Sequence, residues 1–334
     1  MRWLARAAGA LPEGVFAAVM ATGIVSRATH AGAPMISTAL LWLATAALVL
    51  LAVLAPVRPR PRGSRFAWWD ALTFVAAVGV VAAGYGARGH RGVADALDVA
   101  AIAVWFVAVA RPAPWTRAGG RRQGNEASGR RLLVIVATQS AVISAVALER
   151  STAASALAGA AVAVWVAALA LTVPIARPVA RGLLLRAQRG RFRADDWILM
   201  GVLAISALAA AALLGMRGVP VREGVRVLGI VAWAGACLWV PFLARIDIAC
   251  SLGRRTGPPG SQRWSMVFPF GMFAAASQAL GTNTGHPLIH RVGLDAAWVA
   301  LVAWALMAAG IGGGAVAGRV GPAASRVGGR QLPE

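Results

Sequence analysis

The chain is built from ten nearly continuous apolar runs, separated by short stretches rich in Arg, Gly and Pro. The first is Val15–Ser26, extended by Arg27–Ala31, giving a span of about 15–31. The others cover about 34–57, 68–87, 93–110, 132–148, 152–175, 197–216, 225–250, 264–281 and 292–317. A helix crossing a bilayer needs about 20 apolar residues. The pattern therefore predicts an all-α membrane protein of ten transmembrane helices. Ten spans take up about 200 of the 334 residues, so a single transmembrane domain over residues 1–334 is expected. The first, fifth and ninth runs are short, as kinked or buried helices would be. No convincing cleavage site follows the first run, which is expected to stay in place.

The connections alternate. Those after the odd-numbered runs are short, near Thr29–Ala33, Arg88–Gly92, Glu149–Ser151, Arg217–Gly224 and Thr282–Arg291. Most of the others are longer and Arg-rich. The chain thus reads as five helical hairpins joined on one side. Hairpin starts near residues 15, 68, 132, 197 and 264 are regularly spaced, without strong internal identity. On the side of the termini the connections and tails carry 25 arginines, against 8 on the other. The excess of positive charge marks the cytoplasmic side, so both termini are expected there, in a multi-pass protein of the cell (plasma) membrane.

Composition agrees. Hydrophobic residues make up 59% of the chain and charged ones 13%, with a mean hydropathy of +0.69. That excludes a soluble enzyme, a disordered chain and a collagen-like fibre. The net charge is +21, carried by Arg with no Lys. Because the arginines flank apolar runs, membrane topology explains them and no nucleic-acid partner is inferred. Membrane lipids are the expected surroundings. Cys237 and Cys250, thirteen residues apart on one predicted helix, are about 20 Å apart and suggest neither a disulfide nor a metal site.

No carboxylate falls mid-span; Asp98 is the deepest. A cation channel or proton pump normally has buried acids on its pathway. The polar residues within the spans are neutral: Thr22, Gly23 and Ser26 in the first; Gln139 and Ser140 in the fifth; Ser206 in the seventh; Gln278 in the ninth. Such groups commonly join helices to each other. Even-numbered helices have hydroxyls too, such as Thr45, Ser155 and Thr172, so the segregation onto odd helices is a tendency; it favours a central pathway lined by the odd helices, neutral inside, with Arg at its mouths. Such a field favours anions.

Three segments carry a resemblance. Residues 12–26, PEGVFAAVMATGIVS, look like the first helix of the tellurite-resistance/dicarboxylate transporter family. Residues 195–206, DDWILMGVLAIS, resemble its seventh helix, and residues 264–272, WSMVFPFGM, its ninth. The family includes the bacterial TehA proteins, yeast malate and sulfite transporters and plant slow-type anion channels. The resemblance implies five hairpins around a central pore, odd helices inside and even ones outside, assembled as a homotrimer. It also implies an aromatic gate at Phe268. Pro269 follows as a kink that frees a helix carbonyl, and Gly271 permits a bend. Packing as an ordinary core side chain is the other reading of Phe268.

The remaining polar features point to structure. Asp195-Asp196 fits an N-cap of the seventh helix better than a metal-binding pair. His286 and His290 have a metal-ligand spacing only if helical, and Pro287 between them suggests a loop. No catalytic residue set, metal or cofactor is expected. The expected function is channel-like transport of small inorganic anions such as chloride, nitrate or sulfite. The alternative is a carrier for C4-dicarboxylates or sulfite, with or without proton coupling. An intramembrane enzyme ranks last.

Overall fold

A computed structural model describes residues 16–57, 66–111, 128–152, 156–216, 218–219, 221–252 and 264–317. Ten α-helices of 14 residues or more run through them: α1 Phe16–Thr29, α2 Pro34–Val57, α3 Phe66–Gly86, α4 Arg91–Val109, α5 Leu133–Thr152, α6 Ala156–Ala187, α7 Ile198–Leu214, α8 Arg222–Leu252, α9 Trp264–Thr284 and α10 Pro287–Ala317. Single 3₁₀ turns, Gly129–Leu132 and Ala194–Trp197, lead into α5 and α7. No strand occurs among the described residues.

Eight of the ten helices are long and apolar enough to cross a membrane. The two that fall short have different reasons. Only 14 residues of α1 are described. At 21 residues α9 has the length, but Ser265, Ser277, Gln278, Thr282, Asn283 and Thr284 dilute its apolar character. A helix with that composition needs other helices around it, and 13 of its residues are buried.

Two boundaries depart from the sequence reading. Helix α6 continues twelve residues beyond the expected end at 175, through Pro174 and Pro178. A proline removes one intrahelical hydrogen bond, and neighbouring helices allow the helix to continue. Between α9 and α10 the expected ten-residue loop shrinks to a turn, because Pro287 occupies the first position of α10. Proline is favoured there, since its missing N–H has no intrahelical partner to lose. The four helix-joining connections at 58–65, 112–127, 153–155 and 253–263 lie at least partly outside the described residues.

The odd-numbered helices form a closed cycle of contacts: α1 with α3, α3 with α5, α5 with α7, α7 with α9, and α9 with α1. Each even-numbered helix packs against the odd helix before it and the odd helix after it. Burial follows the same division. The apolar windows of α3, α5 and α7 are 67%, 56% and 83% buried, whereas those of the even helices are 22% or 33% buried. Every exposed large hydrophobic among the described residues, apart from Val221 in a turn, is on an even helix; Trp42, Phe106, Leu171, Leu238 and Trp298 are examples. Even helices thus present apolar side chains outward, as contact with lipid requires.

Hydrogen bonds tie each outer helix to the next inner one. Indole N–H groups donate from Trp105 on α4 to Thr138 Oγ1 on α5 (3.1 Å), from Trp165 on α6 to the Ser206 carbonyl on α7 (3.1 Å), from Trp233 on α8 to Ser277 Oγ on α9 (2.8 Å) and from Trp304 on α10 to Thr22 Oγ1 on α1 (2.9 Å). Between α2 and α3 the Tyr85 phenol meets Thr45 Oγ1 at 3.2 Å. In an apolar surrounding an unpaired indole N–H is costly, so each bond fixes the rotation of two helices.

Candidate functional site

A cavity of about 330 Å³ lies within the ring of odd helices, and every one of the five contributes to its wall. Its deep end is formed by Ile24 on α1, Val80 on α3, Ser140 on α5, Ile205 on α7 and Met272 on α9, all buried. Later residues on the same helices line its mouth: Arg27, Gly86, Arg150, Ala212 and Asn283. All but Ala212 are exposed. Between Ser140 and Arg150 a helix rises about 15 Å, roughly half the thickness of a hydrocarbon core. The space equals about ten water molecules at liquid density, which suits a small hydrated solute.

Phe268 is one turn before Met272 on α9, so it falls on the same helix face about 6 Å deeper. It is 4% exposed. The residues four earlier than the deep-end residues on the other odd helices are Met20, Ala76, Val136 and Gly201, and all are buried. At this depth α7 and α9 come close: a Cβ on Gly201 would lie 3.2 Å from Pro269 Cγ. Slightly further along α9, a Cβ on Gly271 would stand 2.6 Å from Ile24 Cγ2. Glycine at 271 thus lets α9 press against α1, within one turn of Phe268 along α9.

Of the residues singled out in the sequence, Ser140 is on the cavity wall. The others hold helices together. Thr22 accepts from Trp304 and donates to the Ala18 carbonyl. Gly23 faces Val80, whose Cγ1 would be 2.8 Å from an added Cβ. Ser26 and Ser37 each donate to the other's carbonyl at 2.6 Å, locking α1 to α2. Gln139 donates to Ser206 Oγ at 3.2 Å, joining α5 to α7, while its own carbonyl oxygen has no partner. Ser206 donates to the Val202 carbonyl. Gln278 donates to the carbonyls of Ala28 (2.8 Å) and Gly293 (3.1 Å), joining α9 to α1 and α10.

Arg27, Arg91 and Arg150 line the cavity, together with Asp95 and Asp98. Arginines were expected at the mouths of the pathway, but not these particular ones, nor the carboxylates beside them. Arg91, Ala94, Asp95 and Asp98 follow one face of α4, so an outer helix lends its first two turns to the wall. The spacing of these residues, three and four apart, was the available signal; treating α4 as an outer helix along its whole length hid it. Asp98 is 3% exposed and approaches the Ser144 hydroxyl. Arg150 donates to the Ala212 carbonyl at 2.6 Å, tying α5 to α7. Nearby, His30 in the α1–α2 turn is held below its ordinary pKa, first by burial and then by the charges of Arg88 and Arg27. The three arginines outnumber the two aspartates on the wall, leaving a net positive charge at the mouth.

The opposite end holds the acidic pair. Asp196 accepts from Arg186 Nη2 at 2.5 Å and from the Arg193 backbone N–H at 3.1 Å. Asp195 pairs with Arg193 at 3.2 Å and with the Ser128 hydroxyl. Both carboxylates thus fasten the turn that opens α7. Contrary to the loop expected around them, His290 is within α10 and its backbone N–H bonds the His286 carbonyl. The two imidazoles have separate partners: His286 faces Arg226, and His290 faces Thr282 and the Gln278 carbonyl. No grouping of three or more His, Cys, Asp or Glu suited to a metal occurs among the described residues.

The sequence model of a family described as voltage-dependent anion channel matches residues 11–311. Two curated relatives are uncharacterized membrane proteins of Mycobacterium tuberculosis, strains CDC 1551 / Oshkosh and H37Rv. Each is 31% identical over 117 residues, 33% of this chain. The chain spans 58% of the length of these relatives.

Proposed function

The chain belongs to the voltage-dependent anion channel family, in keeping with the tellurite-resistance/dicarboxylate transporter resemblance, and we propose on that premise that it carries small anions through a central pore closed by Phe268. The observation that supports this reading most is the cavity: it touches all five odd helices, and its deepest residue on α9, Met272, is one turn from Phe268. A phenyl ring in a neck of buried apolar side chains excludes water and raises the cost of moving a bare ion. Rotation of the ring would connect the cavity to the far side. Positive potential at the mouth concentrates anions and repels cations.

In this reading the five hairpins surround the pore, the Arg-rich connections and both termini are cytoplasmic, and the cavity opens outward from the cell membrane. The apolar outer faces of the even helices meet lipid and, in a homotrimer, neighbouring copies. The chemistry is translocation, without a catalytic residue.

A second reading is a carrier for C4-dicarboxylates or sulfite, with or without proton coupling. Arg27 favours it, because a guanidinium in the cavity supplies a cation that such a substrate requires. Liposome flux separates the two. Wild type and Phe268→Ala are compared with chloride, nitrate, sulfite and malate. A non-saturating flux of small anions that rises in the variant supports the gated pore. Saturable malate uptake that follows a proton gradient and is lost in the variant supports the carrier. Absence of flux for all four anions in both proteins would overturn both.

A further inference from the structure

We propose that Arg27 is an oxyanion-recognition residue: its guanidinium forms the centre of a binding site in the outer cavity that prefers carboxylate-, nitrate- or sulfite-like anions over halides. The inference rests on the proposed anion pathway for its biological use, but on the cavity alone for its chemistry.

Two of the three arginines on the cavity wall, Arg27 and Arg91, make no side-chain hydrogen bond or ion pair among the described residues, and of these only Arg27 is on an inner helix, away from the carboxylates of α4. Arg88 is engaged with the Gly84 carbonyl (2.9 Å) and Ser37 Oγ (2.6 Å). Arg150 is engaged with the Ala212 carbonyl. Arg91 shares a helix face with Asp95, one turn on. Among the described residues Arg27 has no side-chain hydrogen bond or ion pair. Its neighbours in the chain, Ser26 and Ala28, are buried at 0% and 1%, yet Arg27 itself is exposed. The side chain therefore spends its surface on the cavity. Three arginines against two aspartates leave one positive charge in excess on the wall, and Arg88 is close enough to add to the potential at Arg27.

Its position is fixed rather than incidental. The reciprocal Ser26–Ser37 bonds hold the last turn of α1, and Arg88 donates to the same Ser37 hydroxyl. A guanidinium facing an enclosed, water-filled cavity with no protein partner keeps its N–H groups available, and an anion from solution can take the place of water on them. A guanidinium offers parallel N–H groups at the spacing of two oxygens in one planar anion. A halide accepts from both N–H groups only along converging, bent directions, so each of its bonds is weaker than the two straight bonds of an oxyanion. Hence the geometry selects oxyanions.

The test is isothermal titration calorimetry on full-length protein in nanodiscs, at constant ionic strength, with sodium succinate, nitrate and chloride as probes. Wild type, Arg27→Gln, Arg27→Lys and Arg91→Gln are compared, with melting temperatures confirming that each variant folds. The expected result is succinate and nitrate affinity above that for chloride, reduced about tenfold or more in Arg27→Gln. Arg27→Lys retains charge without the fork, so its loss should fall mainly on the oxyanions. Arg91→Gln should lose less than Arg27→Gln. Unchanged oxyanion affinity in Arg27→Gln would overturn the proposal, as would equal losses for chloride and nitrate in Arg27→Lys. Binding does not require an open neck. Oxyanion binding that depends on Arg27 in a protein that passes no anion would sink the pore and leave this site standing. Flux without such binding would do the reverse.

Discussion

The two halves of the inner ring differ in what they do with polarity. In the half containing the cavity, Gly, Ala and Ser line much of the wall, and Arg27 and Arg150 of the inner helices, with Arg91, Asp95 and Asp98 of the outer α4, surround open space. In the other half polar groups are paired and space is filled. Met20, Leu72, Ile135 and Met200 are fully buried, Phe16 stacks edge-on against Phe74 at 5.3 Å, and Trp197 packs on Phe270 at 4.9 Å. The charges there, Arg186 and Asp196, are spent on each other. The five inner helices, with α4 at one end and α6 at the other, therefore surround a charged cavity at one end and a closely packed region at the other. In the proposed pore, selectivity would belong to the first and the barrier to the second, so the two should be separable by mutation.

The largest effect should come from the packed region's charge pair. Asp196→Ala leaves Arg186 buried without its carboxylate and removes the bond to Arg193, which should cost about 3–5 kcal/mol. Thermal unfolding in detergent measures it, and a double variant, Arg186→Met with Asp196→Leu, should recover most of the loss. Next, Gly271→Ala forces a methyl against Ile24 and should cost about 1–3 kcal/mol in the same assay; wild-type stability would mean α1 and α9 are not pressed together where the halves meet. Third, Phe268→Ala should raise anion flux about tenfold, a barrier change of about 1.4 kcal/mol, whereas Met272→Ala should enlarge the cavity with little change in flux. Equal increases from both would move the boundary between the halves. The smallest effect is expected at the outer ties: Trp304→Phe removes the bond to Thr22 and should lower stability by about 1 kcal/mol, without altering flux.

Helices were legible in the sequence because lipid demands long apolar runs, and nine of the ten starts fall within four residues of the structure, the tenth within five. Odd and even helices separated as well: α9, with its Ser, Gln and Asn, could hardly face lipid. The direction of individual polar side chains was not legible. Thr22, Ser26, Gln139, Ser206 and Gln278 sit on inner helices, but each points at another helix, since a neutral polar group finds its bond wherever a neighbouring donor or carbonyl lies. That partner is often hundreds of positions away, as for Gln278 and Ala28. Arg27 and Arg91 were read as topology signals because they lie at helix ends. Charge counting reports the side of the membrane and is blind to whether the side chain turns inward or outward. The long α6 was hidden by its own arginines and prolines, which mark a loop in sequence and are accommodated in the folded helix.

The most direct measurement is thiol accessibility across the Phe268 level, in reconstituted protein with Cys237 and Cys250 replaced by Ala. Ser140→Cys places a thiol on the cavity wall, and Val136→Cys places one a turn deeper on α5. A small anionic methanethiosulfonate added from the cavity side should modify Ser140→Cys and leave Val136→Cys protected. Adding Phe268→Ala should expose Val136→Cys to the reagent. Modification of Val136→Cys with Phe268 intact, at the rate seen for Ser140→Cys, would contradict a barrier at Phe268.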